Sequence, residues 1–386
     1  MRSGRSPGAG WINRRAAIGA LAGLAATGSA VRSRATPRPS SPGARGPDLS
    51  RGVNLSHWFA QSHNGYGADH LARFVTSADI ARVAAAGFTH VRLGVEPDAL
   101  FATSGKPALN EAVMTRLLDA LTMIGSRNLS VVLDMHPVGA SKDRYLTDEG
   151  AGRLIDNWRL LAQRLTPVAH GQLALELLNE PEPLRDDAWW KLQERIMSAI
   201  RGVDPLRWLV VNGGGWSGVD ELASRQPYAQ DRLIYTFHHY APLLFTHQGA
   251  DWTWDVAGRT RDLTWPVATT AAEQASAAAA PSDRPVLQDQ IARGQFTEAF
   301  MLDAFARLAT WSQRHGRPPI YVGEFGVYLK APREARLRWL SASCAAFARY
   351  GWGWTHWDNS AAFGLVSPDN RAFDDATLRA LGGTPG

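Results

Sequence analysis

The chain has 386 residues, 45% hydrophobic and 20% charged, with 15 tryptophans and one cysteine. That composition is globular and leaves room for two ordinary domains or one large barrel, while the lone Cys344 excludes an intramolecular disulfide. The formal charge of +5 is no nucleic-acid footprint: eight arginines and no acid precede Pro47, which leaves the rest of the chain at −3.

At the start, Asn13-Arg14-Arg15 precedes an apolar run over residues 16–26 and small residues at Gly28 and Ala30. This pattern resembles a twin-arginine export signal over residues 1–30, and it predicts a periplasmic or secreted protein. The apolar run falls short of the ~20 residues a bilayer span needs, so the mature form is expected to hold no membrane span. Residues 31–47 are rich in Pro, Ser and Arg and read as a linker, leaving 48–386 as one catalytic domain.

Beyond the linker, short apolar runs alternate with longer segments of helical period. The runs cover residues 52–55, 90–93, 130–134, 173–178, 208–212, 233–237, 320–323 and 351–354. Helices are predicted over 80–86, 110–126, 148–165, 186–203, 297–315 and 332–350, several opened by Ser, Asp or Asn and stopped by Gly or Pro. Repeated βα units argue for an α/β fold with a parallel sheet, and eight of them for a (β/α)8 barrel. No glycine-rich phosphate fingerprint follows the first run, which counts against a dinucleotide fold. Residues 240–296 form a long connection carrying Trp252, Trp254 and Trp265, expected on the catalytic face, with an alanine-rich stretch at 271–280 that reads as a short helix. Cys344 sits in an Ala- and aromatic-rich stretch and reads as an inert packed thiol.

Polar residues gather where the runs end, the face on which such barrels build active sites. Arg92 nearly ends the second run, and His136 follows the third. Asn179 and Glu180 follow the fourth, His238-His239-Tyr240 the sixth, Glu324 the seventh, and His356-Trp357-Asp358-Asn359 the eighth. Glu180 and Glu324, 144 positions apart, are each carboxylates at the mouth of an apolar run, a costly placement unless used.

Arg92, His136, Asn179-Glu180-Pro181, His238-x-Tyr240, Glu324-Phe325-Gly326 and Trp357 together resemble glycoside hydrolase family 5, the cellulase family, over residues 52–359. The resemblance implies a retaining glycosidase with Glu180 as acid/base and Glu324 as nucleophile. Arg92 and Tyr240 would donate to the nucleophile, Asn179 would bond the sugar 2-hydroxyl, His136 and His238 would bond the sugar and the acid/base, and Trp357 would stack on the sugar beside the broken bond. Internal β-1,4-glucosidic bonds of a polysaccharide or oligosaccharide are the expected substrate, with no cofactor, metal or nucleic acid, acting as a monomer. β-Mannan, xyloglucan and β-1,3-glucan are open alternatives.

Asn54, Trp58, Trp216 and Trp252 or Trp254 are candidates to extend the cleft. Glu176 and Glu182 flank Glu180 without matching a catalytic position. Two other readings compete. Asp134, His136, His238 and His239 are metal-ligand types at strand ends, which would suit a metal-dependent hydrolase but leaves Glu180, Glu324 and Trp357 unused. A catalytically silent glycan-binding barrel would not need both carboxylates.

Overall fold

The computed structural model describes residues 46–182, 187–366 and 372–383. The export signal, and the linker up to residue 45, lie outside them, as does Asp186, the expected start of the helix after the fourth run. In chain order the elements are β1 (Arg51–Asn54), α1 (Ala68–Arg73), α2 (Ser77–Ala85), β2 (His90–Val95), α3 (Pro97–Leu100), α4 (Glu111–Gly125), β3 (Ser130–Met135), α5 (Ala140–Tyr145), α6 (Asp148–Leu165) and β4 (Leu173–Glu176). There follow α7 (Ala188–Arg201), β5 (Trp208–Asn212), α8 (Val219–Ala223), β6 (Leu233–His239), α9 (Leu243–Thr246), α10 (Asp255–Arg259), α11 (Thr269–Ala278), α12 (Arg284–Ala292), α13 (Glu298–Arg314), β7 (Ile320–Phe325), α14 (Arg333–Tyr350), β8 (Gly353–His356) and α15 (Asp375–Ala380).

The strands pair in parallel and close as β1-β2-β3-β4-β5-β6-β7-β8, so the expected (β/α)8 barrel is the observed architecture. The long connection after β6 is about half helical, holding α9 to α12, with most of the alanine-rich stretch in α11. Helix starts follow capping chemistry. Thr76 accepts from the Asp79 amide in a capping box ahead of α2, Asn110 caps α4, and Thr147 caps α6. Among the described residues no helix is long and apolar enough to cross a membrane.

Strand alternation sorts each residue to one face of the barrel wall. Val91, Leu93, Val131, Leu133, Leu173, Leu175, Val211 and Phe237 point outward and join one large core under the helices. Val132, Ala174, Val210, Ile234 and Tyr321 form a separate small cluster inside the barrel. Arg92, Asp134, Glu176 and His238 share the inward parity, so the period that buries the apolar set outside carries charged groups to the interior. Cys344 packs against the outer core from α14, partly buried, and desolvation raises its thiol pKa.

Glu324 breaks this parity. Tyr321 points in and Val322 out, yet Phe325 packs in the outer core. Register irregularities between Phe237 and His238 on β6, and between Val322 and Phe325 along β7 and β8, account for it. The bulge turns Glu324 inward and sets it opposite His238 in the register.

Candidate active site

Arg92 is the hub of the cleft floor. Fully buried on β2, it donates to Glu176 from Nε at 2.7 Å and from Nη2 at 2.9 Å, a two-point contact. Nη1 donates to Asn54 Oδ1 at 3.0 Å and to Glu324 Oε1 at 2.7 Å, and Nη2 reaches Asn179 Oδ1 at 3.0 Å and Asp134 Oδ2 at 2.9 Å. Burial by itself would lower the guanidinium pKa; the charges of Asp134, Glu176 and Glu324 outweigh it and hold the pKa well above the usual value. Desolvation acts oppositely on the acids, raising Asp134 to about 6 and raising Glu176 as well, against the pull of Arg92.

Glu324 is 4% exposed and receives a second hydrogen bond, 2.9 Å, from the Tyr240 hydroxyl to Oε2. Burial and the adjacent carboxylates push the Tyr240 pKa well above its ordinary value, so it stays a donor. His238 Nδ1 lies 3.0 Å from Glu180 Oε1 and 3.5 Å from Glu324 Oε2, bridging the two glutamates. Burial lowers the His238 pKa, but the charge of Glu324 and the hydrogen bond with Glu180 outweigh that and raise it. Glycines make the space. A Cβ at Gly323 would sit 2.7 Å from Thr236 Oγ1 and 3.0 Å from His238 Nε2, and one at Gly326 would sit 2.3 Å from the Trp357 carbonyl oxygen.

His136 has its Nδ1 2.7 Å from Asp134 Oδ2, and desolvation drops its pKa to about 3, so the ring is neutral. A carboxylate only accepts, which puts the proton on Nδ1 and leaves one lone pair on Nε2. The Asn179 amide at 3.3 Å and the Gln61 amide at 3.2 Å compete for that lone pair. With its carbonyl oxygen taken by Arg92, Asn179 is fixed in orientation and keeps an N–H for a ligand. Trp357 stacks on His136 at 5.7 Å between centroids and 12° between planes.

The cleft over this floor is lined by all of Glu180, Glu324, His136, Asn179, Tyr240 and Trp357. Arg92 and His238 support it from below and beside. Among the further candidates Trp216 and Trp252 line the cleft, whereas three do not. Asn54 is buried, its amide donating to the Gly323 and His356 carbonyls. Trp58 is 2% exposed and donates to the Leu71 carbonyl, and Trp254 packs in the outer core. For Asn54 inward parity sets the side chain against Arg92 on the neighbouring strand; the two tryptophans lie where apolar area is already being covered. His239, one residue from His238, points outward and stacks on Trp339 at 4.8 Å, so the four residues of the metal reading do not converge. Among the described residues, the cluster whose ligand atoms do lie within 4.8 Å of one another is Glu180, His238 and Glu324.

Sequence reasoning set Glu176 aside and weighed Asp134 only as a metal ligand. Both are partners of Arg92, and the signal was there as charged residues at inward positions of otherwise apolar strands. Gln61, His247, Thr253 and Phe363 from loops, and Lys142 from the short helix α5, also line the cleft, on segments that carry no periodic signal. Trp216 is presented by an uncommon backbone. Gly214, Gly215, Trp216 and Ser217 have φ of 86°, 54°, 62° and 57°, a left-handed turn that costs roughly 1–2 kcal/mol at each non-glycine residue.

Comparison with known proteins agrees with this geometry. A family model described as cellulase, glycosyl hydrolase family 5, matches residues 50–363. Endoglucanase C of Acetivibrio thermocellus is 27% identical over 339 residues, covering 86% of this chain and 97% of that protein. Cellodextrinase A of Ruminococcus flavefaciens is 25% identical, covering 78% of this chain and 83% of its own. Thermotoga maritima Cel5A, solved in complex with cellobiose, superposes with a TM-score of 0.71 at 23% identity over 86% of this chain and 96% of that one, and its complex with mannotriose gives 0.70. The family match begins before β1 and ends beyond β8, and the chain belongs to the cellulases of glycosyl hydrolase family 5.

Proposed function

We propose that this enzyme hydrolyses internal β-1,4-glucosidic bonds of cellulose-type β-glucan with retention of anomeric configuration. One observation carries the reading: a carboxylate oxygen of Glu180 and one of Glu324 lie within 4.8 Å of each other. An inverting pair keeps its carboxyls ~6.5–9.5 Å apart to admit a water, and a retaining pair ~5–5.5 Å.

In the first step Glu324 attacks the anomeric carbon while Glu180 gives its proton to the departing oxygen, and the glycosidic bond breaks. Arg92 and Tyr240 hold Glu324 by one hydrogen bond at each oxygen, which fixes its direction of attack. In the second step Glu180 takes a proton from water, the water oxygen attacks the same carbon, and the ester to Glu324 breaks. His238, bonded to Glu180, steadies that proton exchange, while Asn179 offers an N–H to the 2-hydroxyl, and Trp357 faces the ring.

The β-1,4-glucan preference is supported by relatives named endoglucanase and by a neighbour solved with cellobiose. A neighbour solved with mannotriose keeps β-mannan as the second reading. Digestion of a panel of polysaccharides, with NMR of the first-formed anomer, tests both. First release of the α-anomer from a β-glucan would overturn the double displacement, and turnover of mannan alone would replace the substrate. We also infer export through the Arg14-Arg15 pair, tested by replacing both with lysine and following precursor in the cytoplasm; unchanged export would remove this reading.

A further inference from the structure

The chain that leaves β3 forms one wall of the cleft, which Pro137, Val138, Gly139 and Lys142 line. The end of β2 holds the start of that wall. The His136 amide donates to the Val95 carbonyl at 2.9 Å, extending the β2–β3 pairing by one residue. At the next available amide, past Pro137, a side chain takes over: Val138 N–H donates to Glu96 Oε2 at 2.9 Å. Glu96 Oε1 accepts from the Ser141 hydroxyl of α5 at 2.8 Å. Glu96 is 4% exposed, so both oxygens of a buried carboxyl are given to one wall of the cleft.

The catalytic groups are held without this contact. His136 is fixed by Asp134 and Val95, Glu324 by Arg92 and Tyr240, and Glu180 is bonded by His238. Glu96 therefore bears on the shape of the cleft and not on the reacting atoms.

We propose that Glu96 is a positioning residue that tethers the wall over residues 137–142 and so sets the affinity of the cleft for its glucan. The inference rests on the proposed substrate and adds a residue that touches no sugar.

Charge makes the tether sensitive to pH. Facing Glu96 are Asp98 from α3, Arg144 and Tyr145 from α5, and Tyr66 from the segment before α1, with Arg144 paired to Asp98. Burial, opposed by the bonds from Ser141 and Val138, raises the Glu96 pKa from 4.5 to about 7. The tethered carboxyl thus keeps its proton longer than a hydrated one, and the tether is firmest below pH 4.5 and weakens as the pH climbs to about 7. Protonated, the carboxyl donates to Ser141, whose hydroxyl turns to the Val138 carbonyl 3.0 Å away. A glutamine satisfies the same pattern with its N–H and does not titrate.

The test follows amide hydrogen exchange over residues 138–146, and kcat and KM on cellopentaose, in wild type, Glu96→Gln, Glu96→Ala and Ser141→Ala. At about pH 5, Glu96→Ala should speed exchange of the segment roughly tenfold and raise KM about threefold to tenfold with kcat near wild type, and Glu96→Gln should restore both. Compared at each pH, exchange and KM of wild type should rise relative to Glu96→Gln up to about pH 7 and then stay level. Unchanged protection in Glu96→Ala, a fall in kcat with KM unchanged, or wild type and Glu96→Gln tracking each other at every pH would overturn the tether. Ser141→Ala removes one of the two contacts and should shift exchange and KM the same way by less, which keeps the test open if Glu96→Ala does not fold. A wild-type enzyme inert on cellopentaose whose exchange follows this pattern would overturn the proposed function and leave the tether standing.

Discussion

The floor of the cleft is held by inward-facing strand residues that bond one another, Arg92 alone reaching Glu176, Asp134, Asn54, Asn179 and Glu324. Its rim is carried by the segments that follow β3, β5 and β6, which present Lys142, Trp216 and Trp252 to the cleft. The floor sets the direction of groups that must act within a fraction of an ångström, so it is over-determined; the rim selects shape and tolerates variation. Substitutions in the floor should therefore alter turnover and stability together, and those in the rim should alter affinity and substrate preference.

The largest effect is expected at the two glutamates. Glu324→Ala should abolish turnover of polymer and aryl cellobioside alike, because no glycosyl ester can form. Glu180→Ala should cripple hydrolysis of the unactivated polymer far more than that of the aryl cellobioside, whose departing group needs no proton. Small anions such as azide should rescue each variant, trapping opposite anomers. Equal losses on both substrates for Glu180→Ala would remove it as the general acid and dissolve the distinction between floor and rim on this side.

Glu176 tests the floor one layer down. It touches Arg92 through both oxygens, and at 0% exposure no water replaces it. Removing one member of a buried ion pair costs about 3–5 kcal/mol. Glu176→Ala should destabilise by that order in urea unfolding and lower kcat without a matching rise in KM, since Arg92 loses the partner that fixes its reach to Glu324. A variant with native stability and full turnover would mean that Asp134 and Glu324 suffice to hold Arg92.

Much of this contrast was legible in the sequence. Every strand and the strand-end residues were readable because apolar runs, caps and glycines report locally. His238, Glu324 and Trp357 come from strand ends whose position the pattern fixes. The bulge that turns Glu324 inward left no such trace, since strict alternation would have sent it outward with Val322. Glu176 was passed over because a carboxylate inside a strand has no motif, and its role depends on Arg92 two strands away. Trp58 and Trp254 were candidates for the cleft for the same reason that Trp216 and Trp252 were: a tryptophan in a loop reads alike whether its ring finds core or ligand.

A pH experiment sharpens the floor further at Asp358. This carboxyl lies under the loop carrying Trp357, fully buried, bonded by the Ser56 hydroxyl and by the Ala361 amide at 3.2 Å. Burial, opposed by those hydrogen bonds, raises its pKa from 3.8 to about 6. The folded state therefore takes up a proton between pH 3.8 and about 6, and this group's contribution favours folding at low pH and is lost as the pH climbs to about 6. Asp358→Asn removes that dependence. The stability of the variant relative to wild type should rise by about 2 kcal/mol from pH 4 to pH 6 and level off about one pH unit above that. Parallel curves would mean that Asp358 titrates at its ordinary value.

The smallest effect is expected at the rim, and Trp252 and Trp254 supply the contrast two residues apart. Trp252 is partly exposed, lines the cleft, and meets Tyr328 edge-on at 4.9 Å. Trp254 is buried in the outer core. An aromatic contact of this kind contributes about 0.5–1.5 kcal/mol beyond the area it covers, so Trp252→Ala should raise KM for the polymer about threefold to tenfold and leave kcat and the unfolding midpoint near wild type. A contact made equally in the ground and transition states gives that signature. Trp254→Ala should show the reverse, a lowered midpoint with KM unchanged in the fraction that stays folded. If Trp252→Ala instead lowers kcat with KM unchanged, the ring is used only in the transition state, and the connection after β6 belongs with the floor.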